Sequence, residues 1–428
     1  MDLTPEVTDY IHGQCLENLL GARVESEGWF IAAPGYAPYG NYVWLRDNAE
    51  CVIALDEYSA TFGDRRIFDY TAKALARSFR YFETKEKGID VLKSMKAKVV
   101  NPEFYNAAYH PHARLSYVGE ELTGPWNNIQ YDSVARTVIA LAKHLSYTRD
   151  GTLFEKCEPG LRVAMDYLFD AIWDQSGTEK MLTVSANEWE ERDEAHLRKP
   201  LFSSVVGLLY AASRYCTNFL EYMDIENIEL RDYERLTESM LKSFFVYDGV
   251  VRMIKRFDEP PVGMCSTSLW LLTTYDVFSP NTEVFRKTVD SLTWSENLTV
   301  ELGLEKAPTR KALGLRRYEI ASWDGSYSPE SYYVDEYWGG QAWTITTAQL
   351  AIALAMRGDS EHAQNLLNLC LQARSSDGKL PEQFEGTYLD KQKYEKWQQL
   401  TQELTPPPWL AWAHAEVLRA YMTIRKIN

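Results

Sequence analysis

The sequence predicts an all-α protein of about twelve helices arranged as antiparallel pairs. Apolar residues recur at spacings of three and four through most of the 428 residues, and few segments show the alternation of a strand. No Gly-rich phosphate loop follows a strand, which argues against a dinucleotide-binding fold. Six consecutive pairs can close into two concentric rings of six helices, a toroid in which each inner helix is buried against two neighbours. An open helical solenoid is the alternative, but no strong repeat supports it.

The helices are placed by these apolar spacings and by start signals. In chain order, the windows cover 6–20, 46–61, 65–83, 129–148, 154–173, 201–222, 230–246, 264–277, 281–293, 340–357, 359–373 and 408–425. Thr4-Pro5-Glu6 offers an N-cap, a proline in the first turn and an acid, which together favour a helix start. Asp359 can cap the eleventh helix, and a proline run ending at Pro408 precedes the twelfth.

Three long segments lack helical periodicity: 85–128, 297–339 and 375–407. Loops of this length in a compact domain are usually functional or disordered, and their aromatic content argues against disorder. We expect them to gather at one mouth of the toroid. Because no low-complexity linker divides the chain, residues 1–428 are expected to form a single domain.

Composition excludes several classes of partner. The chain has 61 acidic and 45 basic residues and a net charge of −16, so a nucleic-acid ligand is not expected. No apolar stretch approaches about 18 residues, so no membrane-spanning helix is expected. Aromatic residues make up 13% and often have polar neighbours. They could cover the C–H faces of a sugar or simply fill a large core, and composition alone favours the core.

Cysteine spacing and the amino terminus bear on compartment. Six scattered cysteines without a CxxC pair predict free thiols and give little support to a zinc site. The acidic start MDLTPEVTDY does not resemble an ordinary signal peptide. We expect a cytoplasmic protein, or one exported without a cleaved leader. No cofactor, metal or obligatory protein partner is expected.

Polar and aromatic residues cluster at five places, each of which also has a purely structural interpretation. Trp44-Leu45-Arg46-Asp47 opens the second helix, where the helix N-terminus favours an ionised Asp47. A segment from Gly124 through Trp126, Gln130 and Asp132 opens the fourth helix, with side chains that could hydrogen-bond to sugar hydroxyls. The structural alternatives are an ion pair at a helix start for the first cluster and a polar capping loop for the second.

The other three clusters contain glutamates or tryptophans. Trp189-Glu190-Glu191 places carboxyl groups beside an indole, where lost hydration would raise a carboxyl pKa towards that of a general acid. Glu382-Gln383 follows a turn, and a proline-stiffened segment sets Trp409 and Trp412 at the last helix start. A solvated turn, an ordinary loop acid and a helix-initiation signal are the structural alternatives. His110-Pro111-His112 has no third ligand and is expected to be surface loop, and no GxSxG nucleophile elbow is present.

Taken together and in this order, the clusters resemble glycoside hydrolase family 15, the glucoamylases. The resemblance spans roughly residues 36–425. The matching segments are Trp44 to Asp47, Trp126 to Asp132, Trp189 to Glu191, Arg317-Tyr318-Glu319, Gly340 to Trp343, Glu382-Gln383 and, loosely, Trp412 to Glu416. The family's Asn-Pro-Trp is Gln-Ala-Trp here, and its Pro-Trp-Ser is Pro-Trp-Leu-Ala-Trp, which leaves Trp409 and Trp412 as alternatives for one tryptophan.

The resemblance implies a fold, a reaction and residue roles. It implies an (α/α)6 barrel without the accessory β-sandwich or starch-binding domain of some relatives, acting on a neutral α-glucan. The implied reaction is release of β-glucose with inversion from the non-reducing ends of α-1,4-glucans such as glycogen, starch and maltooligosaccharides. Glu190 matches the general acid and Glu382 the general base. The residues implied to surround the sugar are Trp44, Arg46, Asp47, Trp126, Gln130, Asp132, Trp189, Glu191, Arg317, Trp343, Trp409 and Trp412.

Other functions remain open from the sequence. A trehalose or isomaltose-type glucohydrolase could use the same carboxyl pair, and the sequence does not choose the linkage. A glycan-binding or regulatory barrel that has lost catalysis is a second class, although both glutamates are present. An interaction scaffold of helical pairs is a third, and it would leave the polar and aromatic loops unexplained.

Overall fold

The structure is a computed structural model that is mostly helical. It describes residues 3–36, 40–95, 106–122, 129–170, 172–174, 180–182, 201–222, 227–255, 260–261, 264–295, 298–301, 313–317, 342–384 and 407–427. No helix in these ranges is long and apolar enough to cross a membrane. All six cysteines lie within them, and they are buried free thiols, as their spacing predicts.

The described helices follow the predicted order. They are α1 Pro5–Tyr10, α2 Leu16–Gly21, α3 Leu45–Phe62, α4 Arg66–Glu83, α5 Glu86–Ser94, α6 Tyr131–Thr148, α7 Gly151–Asp170, α8 Ser203–Tyr222, α9 Ile228–Phe245, α10 Ser268–Leu272, α11 Glu283–Trp294, α12 Thr344–Arg357, α13 Ser360–Gln372 and α14 Ala411–Ile427. A π-helical turn, Ile11–Cys15, joins α1 to α2. The Thr4 and Asp359 side chains accept N-cap hydrogen bonds, which confirms both start signals.

Two predictions of helix extent were wrong. Helix α5 lies inside the segment 85–128, which was predicted to be non-helical. It buries only Ile89 and Leu92, and Gly88 lies so close to the backbone of Tyr109 that a Cβ there would be 2.8 Å from the Tyr109 carbonyl oxygen. The window 264–277 forms only the short helix α10.

The described strands are short, each two or three residues long. They are β1 Tyr42–Trp44, β2 Arg114–Ser116, β3 Ile172–Asp174, β4 Lys180–Leu182, β5 Leu201–Phe202, β6 Val246–Tyr247, β7 Val250–Val251, β8 Ile254–Lys255, β9 Thr299–Glu301 and β10 Leu313–Leu315. The pairs β1–β2, β3–β4, β6–β7 and β9–β10 are antiparallel.

The chain forms two compact units. We call Arg23–Ile31 with Asn41–Lys242 the central unit, and Met1–Ala22, Ala32–Gly40 and Ser243–Asn428 the terminal unit. The expectation of a single domain stays a prediction.

The central unit is built on three neighbouring helices. Helix α6 packs between α3 and α8, while α4 packs against α3 and α7. Side-chain contacts at successive levels join α3 to α6: Arg46 to Asp132, Glu50 to Arg136 and Asp56 to His144. Because both sets of numbers rise together, α3 and α6 run parallel. Their N-termini therefore lie at the same end of the unit.

The terminal unit packs around α12. This helix contacts α10, α13 and α14, and α14 also contacts α2. Five short segments, 298–301, 313–317, 342–343, 380–384 and 407–410, lie side by side in this order, and we call them the segment ladder. Successive neighbours are joined by β9–β10 pairing and by bonds from Trp343 N to Leu315 O (3.0 Å), Phe384 N to Ala342 O (2.9 Å) and Leu410 N to Leu380 O (2.9 Å).

Candidate active site

In the central unit, Arg46 and Asp47 lie in the first turn of α3. The turn begins after extended Trp44 in β1, whose partner in β2 is Arg114. The Leu45 N–H donates to the Ala113 carbonyl (2.9 Å), which fixes the entry of the chain into the helix. Asp47 therefore lies where the free N–H groups of the helix favour a negative charge, as predicted.

Gln130 and Asp132 lie at the start of the neighbouring helix α6. Gln130 is the extended residue before the helix, and Asp132 is in its first turn. Arg46 Nη1 donates to Gln130 Oε1 (3.5 Å) and lies 3.8 Å from Asp132 Oδ2. The structure therefore brings Arg46 together with Gln130 and Asp132, which lie more than eighty positions later in the sequence.

These residues belong to a buried chain of alternating charges. Arg46 Nε lies 3.4 Å from Asp47 Oδ2, Arg136 Nε lies 3.8 Å from Asp132 Oδ2, and Arg136 Nη1 donates to Glu50 Oε1 (2.6 Å). All five side chains are at least 94% buried. Opposite charges at each step offset the cost of removing these groups from water, so the carboxylates are held in fixed positions.

Arg114 lies beside the aromatic residues of β1. Its guanidinium carbon is 5.8 Å from the ring centroid of Trp44 and 5.2 Å from that of Tyr42. Both distances are in the range of a cation–π interaction. Trp44 is 4% exposed, so its ring is held firmly at the start of α3.

In the terminal unit, the segment ladder carries Glu382 and its neighbours. The Glu382 N–H donates to the Pro407 carbonyl (3.2 Å), and the Glu382 carbonyl accepts from the Thr344 N–H (3.0 Å). Its backbone is thus bonded on both sides, and the residue is 7% exposed. Trp343 pairs with Gln383 across the ladder. The structure therefore places Glu382 beside Trp343 and beside the segment 407–410, which contains Trp409.

Arg317 lies on the same ladder and is fully buried. Its carbonyl accepts hydrogen bonds from the N–H (2.9 Å) and Oγ (3.1 Å) of Ser266. Its guanidinium carbon lies 5.8 Å from the ring centroid of Trp343. Four predicted site residues of this unit, Arg317, Trp343, Glu382 and Trp409, are thus on neighbouring segments fixed by their backbones.

Trp409 and Trp412 have different surroundings. The Trp409 indole N–H donates to the Pro34 carbonyl (2.7 Å), and its ring is near Lys379 Nζ (5.6 Å). Trp412 is 1% exposed, and its indole N–H donates to Glu416 Oε1 (2.8 Å). Trp412 thus helps to anchor α14 in the core, whereas Trp409 lies on the ladder itself.

The predicted residues Trp126, Trp189, Glu190 and Glu191 lie outside the described residues. Sequence reasoning missed Arg114, Glu50 and Arg136. Helical spacing was a usable signal for two of them, since Glu50 follows Arg46 by four positions and Arg136 follows Asp132 by four. Within the described ranges, no group of three His, Cys, Asp or Glu side chains is placed to hold a metal ion.

Chemically, each unit holds groups suited to a polyol. The central unit supplies fixed carboxylates, a guanidinium and an amide, which can accept from and donate to hydroxyl groups. The terminal unit supplies a carboxyl group, a guanidinium and indole rings. This mixture of aromatic and polar groups fits a carbohydrate better than an anionic ligand.

The chain is similar to several known proteins. No family model matches the chain. The isomaltose glucohydrolase of Kribbella flavida is 22% identical over 394 residues, which cover 92% of this chain and 87% of that protein. The structure of a wild-type glycosidase matches with a TM-score of 0.75 and 19% identity, over 99% of both chains. The structure of a glycosidase variant in complex with glucose matches with a TM-score of 0.75 and 18% identity, also over 99% of both chains.

A family 15 glucoamylase from Hypocrea jecorina matches with a TM-score of 0.63 and 17% identity, covering 98% of this chain and 73% of that one. At these identities the likeness establishes the fold. The predicted fold class, an (α/α)6 barrel of six helical hairpins, is therefore confirmed, and the resemblance to the glucoamylase family holds at the level of the fold.

Proposed function

We propose that this protein is an exo-acting glycoside hydrolase that releases β-glucose from the non-reducing end of α-glucosides with inversion. The observation that carries the proposal is Glu382, a buried carboxyl residue with its backbone bonded on both sides, on the same ladder as Arg317, Trp343 and Trp409. The glycosidase fold and the named activities of the similar proteins support it.

In the proposed mechanism, two carboxyl groups divide the work. Inversion needs an acid and a base about 6.5–9.5 Å apart, which leaves room for one water molecule. Glu382 is the base that takes a proton from this water as it attacks C1. Glu190 is the acid that gives a proton to the leaving oxygen. The bond from C1 to that oxygen breaks as the bond from C1 to water forms.

The remaining residues bind the sugar. Arg46 and Asp47 hold hydroxyl groups of the terminal glucose, with Gln130 and Asp132 keeping the arginine in place. The other sugar contacts assigned by the proposal are Trp44, Trp126, Trp189, Glu191, Arg317 and Trp343. We assign Trp409, rather than Trp412, to the sugar-contacting set because Trp409 lies on the ladder segment that bonds to Glu382, whereas Trp412 is 1% exposed and lies within α14.

Two linkages are candidates. The first is α-1,4, as in glycogen, starch and maltooligosaccharides, and it follows from the glucoamylase resemblance. The second is α-1,6, favoured by the similarity to a protein named isomaltose glucohydrolase, which extends over 92% of this chain. The two differ in the sugar that follows the terminal glucose, so one substrate panel distinguishes them.

The experiment is incubation of the purified protein with maltose, isomaltose, trehalose and glycogen, with released glucose followed by proton NMR. The proposal expects β-glucose to appear first. Glu190→Gln and Glu382→Gln should each lower kcat by at least about 100-fold. Glu361→Gln, a change at an exposed carboxyl group, is the matched control and should have no effect.

α-Glucosyl fluoride separates the two roles, because fluoride leaves without a general acid. Glu190→Gln should recover most activity on it, and Glu382→Gln should not. Absence of glucose from every substrate, first release of the α-anomer, or full activity of Glu382→Gln would each contradict the proposal.

A further inference from the structure

The chain reaches Glu382 through a tight turn at 375–379. Ser375 N–H donates to the Lys379 carbonyl (2.9 Å), and Gly378 N–H donates to the Ser375 carbonyl (2.9 Å). Gly378 has φ +73°, and a Cβ there would lie 2.1 Å from the Gln14 side chain. The positive φ favours glycine, and a larger residue there would displace the Gln14 side chain. The turn is fixed against the amino-terminal helices.

Three side chains of the amino-terminal helical segment bond to this turn. Tyr10 OH and Asn18 Nδ2 both donate to the Gly378 carbonyl, at 2.9 and 3.0 Å. Gln14 Nε2 donates to the Asp377 carbonyl at 2.7 Å. The residues are spaced four apart and thus lie on one face of the segment. This face of the segment therefore makes a specific contact with a turn that lies more than 350 positions later in the sequence.

His414 in α14 joins the same contact to the segment that carries Glu382. Its Nδ1 donates to the Leu410 carbonyl (3.0 Å), as expected for the neutral ring, which leaves Nε2 as an acceptor. Leu380 N–H donates to Nε2 (3.4 Å), and Asn18 Nδ2 lies at 3.4 Å from the same nitrogen. His414 is fully buried. His414 Nε2 therefore contacts both the Asn18 side chain and the backbone N–H of Leu380, which lies two residues before Glu382.

We propose that His414 and Asn18 are positioning residues that set the location of the Glu382 carboxyl group. The inference rests on the proposed function, in which Glu382 is the base. The Leu380 N–H is bonded to His414 and the Leu380 carbonyl to Leu410 N–H, so Leu380 is fixed on both sides, as Glu382 is. Loss of the His414 acceptor leaves a buried N–H unsatisfied, and the segment must shift to restore its bonding.

The consequence for catalysis is geometric. A base must lie within hydrogen-bonding reach of the water it activates, and a shift of about 1 Å can cost about 100-fold in rate. Substrate binding should suffer less, because the sugar contacts assigned to Arg46 and Asp47 are unchanged. A loss of kcat with little change in KM is therefore the expected signature.

The test compares His414→Leu with His414→Gln. Leucine removes the acceptor, while the glutamine Oε1 can take the place of Nε2. On α-glucosyl fluoride, His414→Leu should lower kcat by about 10- to 100-fold and change KM by less than about threefold, and His414→Gln should remain within about threefold of wild type. The fluoride substrate confines the measurement to the base, because it needs no general acid.

Tyr421→Phe is the matched control. Tyr421 OH bonds to Thr8 and His12, so the variant loosens the amino-terminal helices from α14 without touching the turn. It should lower thermal stability but leave kcat unchanged.

Asn18→Ala is the second test if His414→Leu does not fold, and it should also lower kcat by several-fold.

The outcomes distinguish the inference from the proposed function. Wild type that releases no glucose overturns the proposed function. Active wild type together with wild-type kcat in folded His414→Leu, or in Asn18→Ala where His414→Leu does not fold, overturns the positioning roles. A glutamine variant as slow as the leucine variant also overturns them, because the acceptor would then not be the cause.

Discussion

His414 should make the folded protein sensitive to mild acid. Burial lowers the pKa of His414 from 6.5 to about 4, and the Lys379 charge acts in the same direction, while the carbonyls of Leu410 and Gly378 oppose it. Protonation would also place a hydrogen on Nε2, where the Leu380 N–H already points. Folding therefore favours the neutral form of the His414 ring.

The sign follows from proton binding. Below about pH 6.5 the unfolded chain takes up a proton at His414, while the folded protein does not do so until about pH 4. Stability is therefore lost as the pH falls through this interval and levels off below it. With about 1.36 kcal/mol for each unit of pKa difference, a difference of about 2.5 units removes about 3 kcal/mol.

The assay is urea unfolding of wild type and His414→Gln at a series of pH values from about 7 to about 4. Glutamine does not titrate, so the difference between the two proteins isolates His414 from every other ionisable group. The advantage of wild type over the variant should shrink by about 3 kcal/mol across the interval. A difference that stays constant with pH would refute the reasoning, as would a folded-state NMR titration of His414 near its ordinary pKa of 6.5.

Two other buried acids give further predictions. Arg136→Met should lower the free energy of unfolding, measured with urea, by about 3–5 kcal/mol because it leaves the buried Glu50 without its arginine partner. The double variant with Glu50→Gln should recover part of that loss. A loss below about 1 kcal/mol in the single variant would contradict this prediction. Burial raises the pKa of Asp56 above 3.8, so the folded state keeps that proton longer and stability falls as pH rises through this region. The stability of Asp56→Asn should therefore increase relative to that of wild type as pH rises. A difference in the free energy of unfolding that does not change with pH would contradict this prediction.

Sequence periodicity predicted most of the fold because the helices bury one face over many turns. All twelve windows contain described helix, and the starts at Thr4 and Asp359 have the predicted caps. Helix α5 was missed because it buries only two apolar residues and contains Gly88. A short helix held by tertiary contacts gives little periodic signal.

The ladder beside Glu382 could not be predicted from sequence spacing. Its strands are two to five residues long, too short for visible alternation, and their partners are distant in the chain. The predicted helix starts at Trp44, Trp343 and Trp409 nevertheless lie where extended segments enter helices, or one residue from such a point. The sequence therefore indicated where these helices begin, while the backbone bonds that join the extended segments needed the structure.

Buried carboxyl groups in this protein also show why a Trp–Glu neighbourhood does not by itself identify a catalytic acid. Glu416 follows Trp412 on α14 and is fully buried. Its Oε1 accepts from the indole N–H groups of Trp270 (2.9 Å) and Trp412 (2.8 Å), and its Oε2 accepts from Gln349 (2.5 Å) and Arg419 (3.2 Å). Four donors, one of them a cation, stabilise the ionised form and occupy both oxygens. Because protein donors occupy both oxygens of this buried group, its role is to hold α14, and with it the segment that bonds to Glu382.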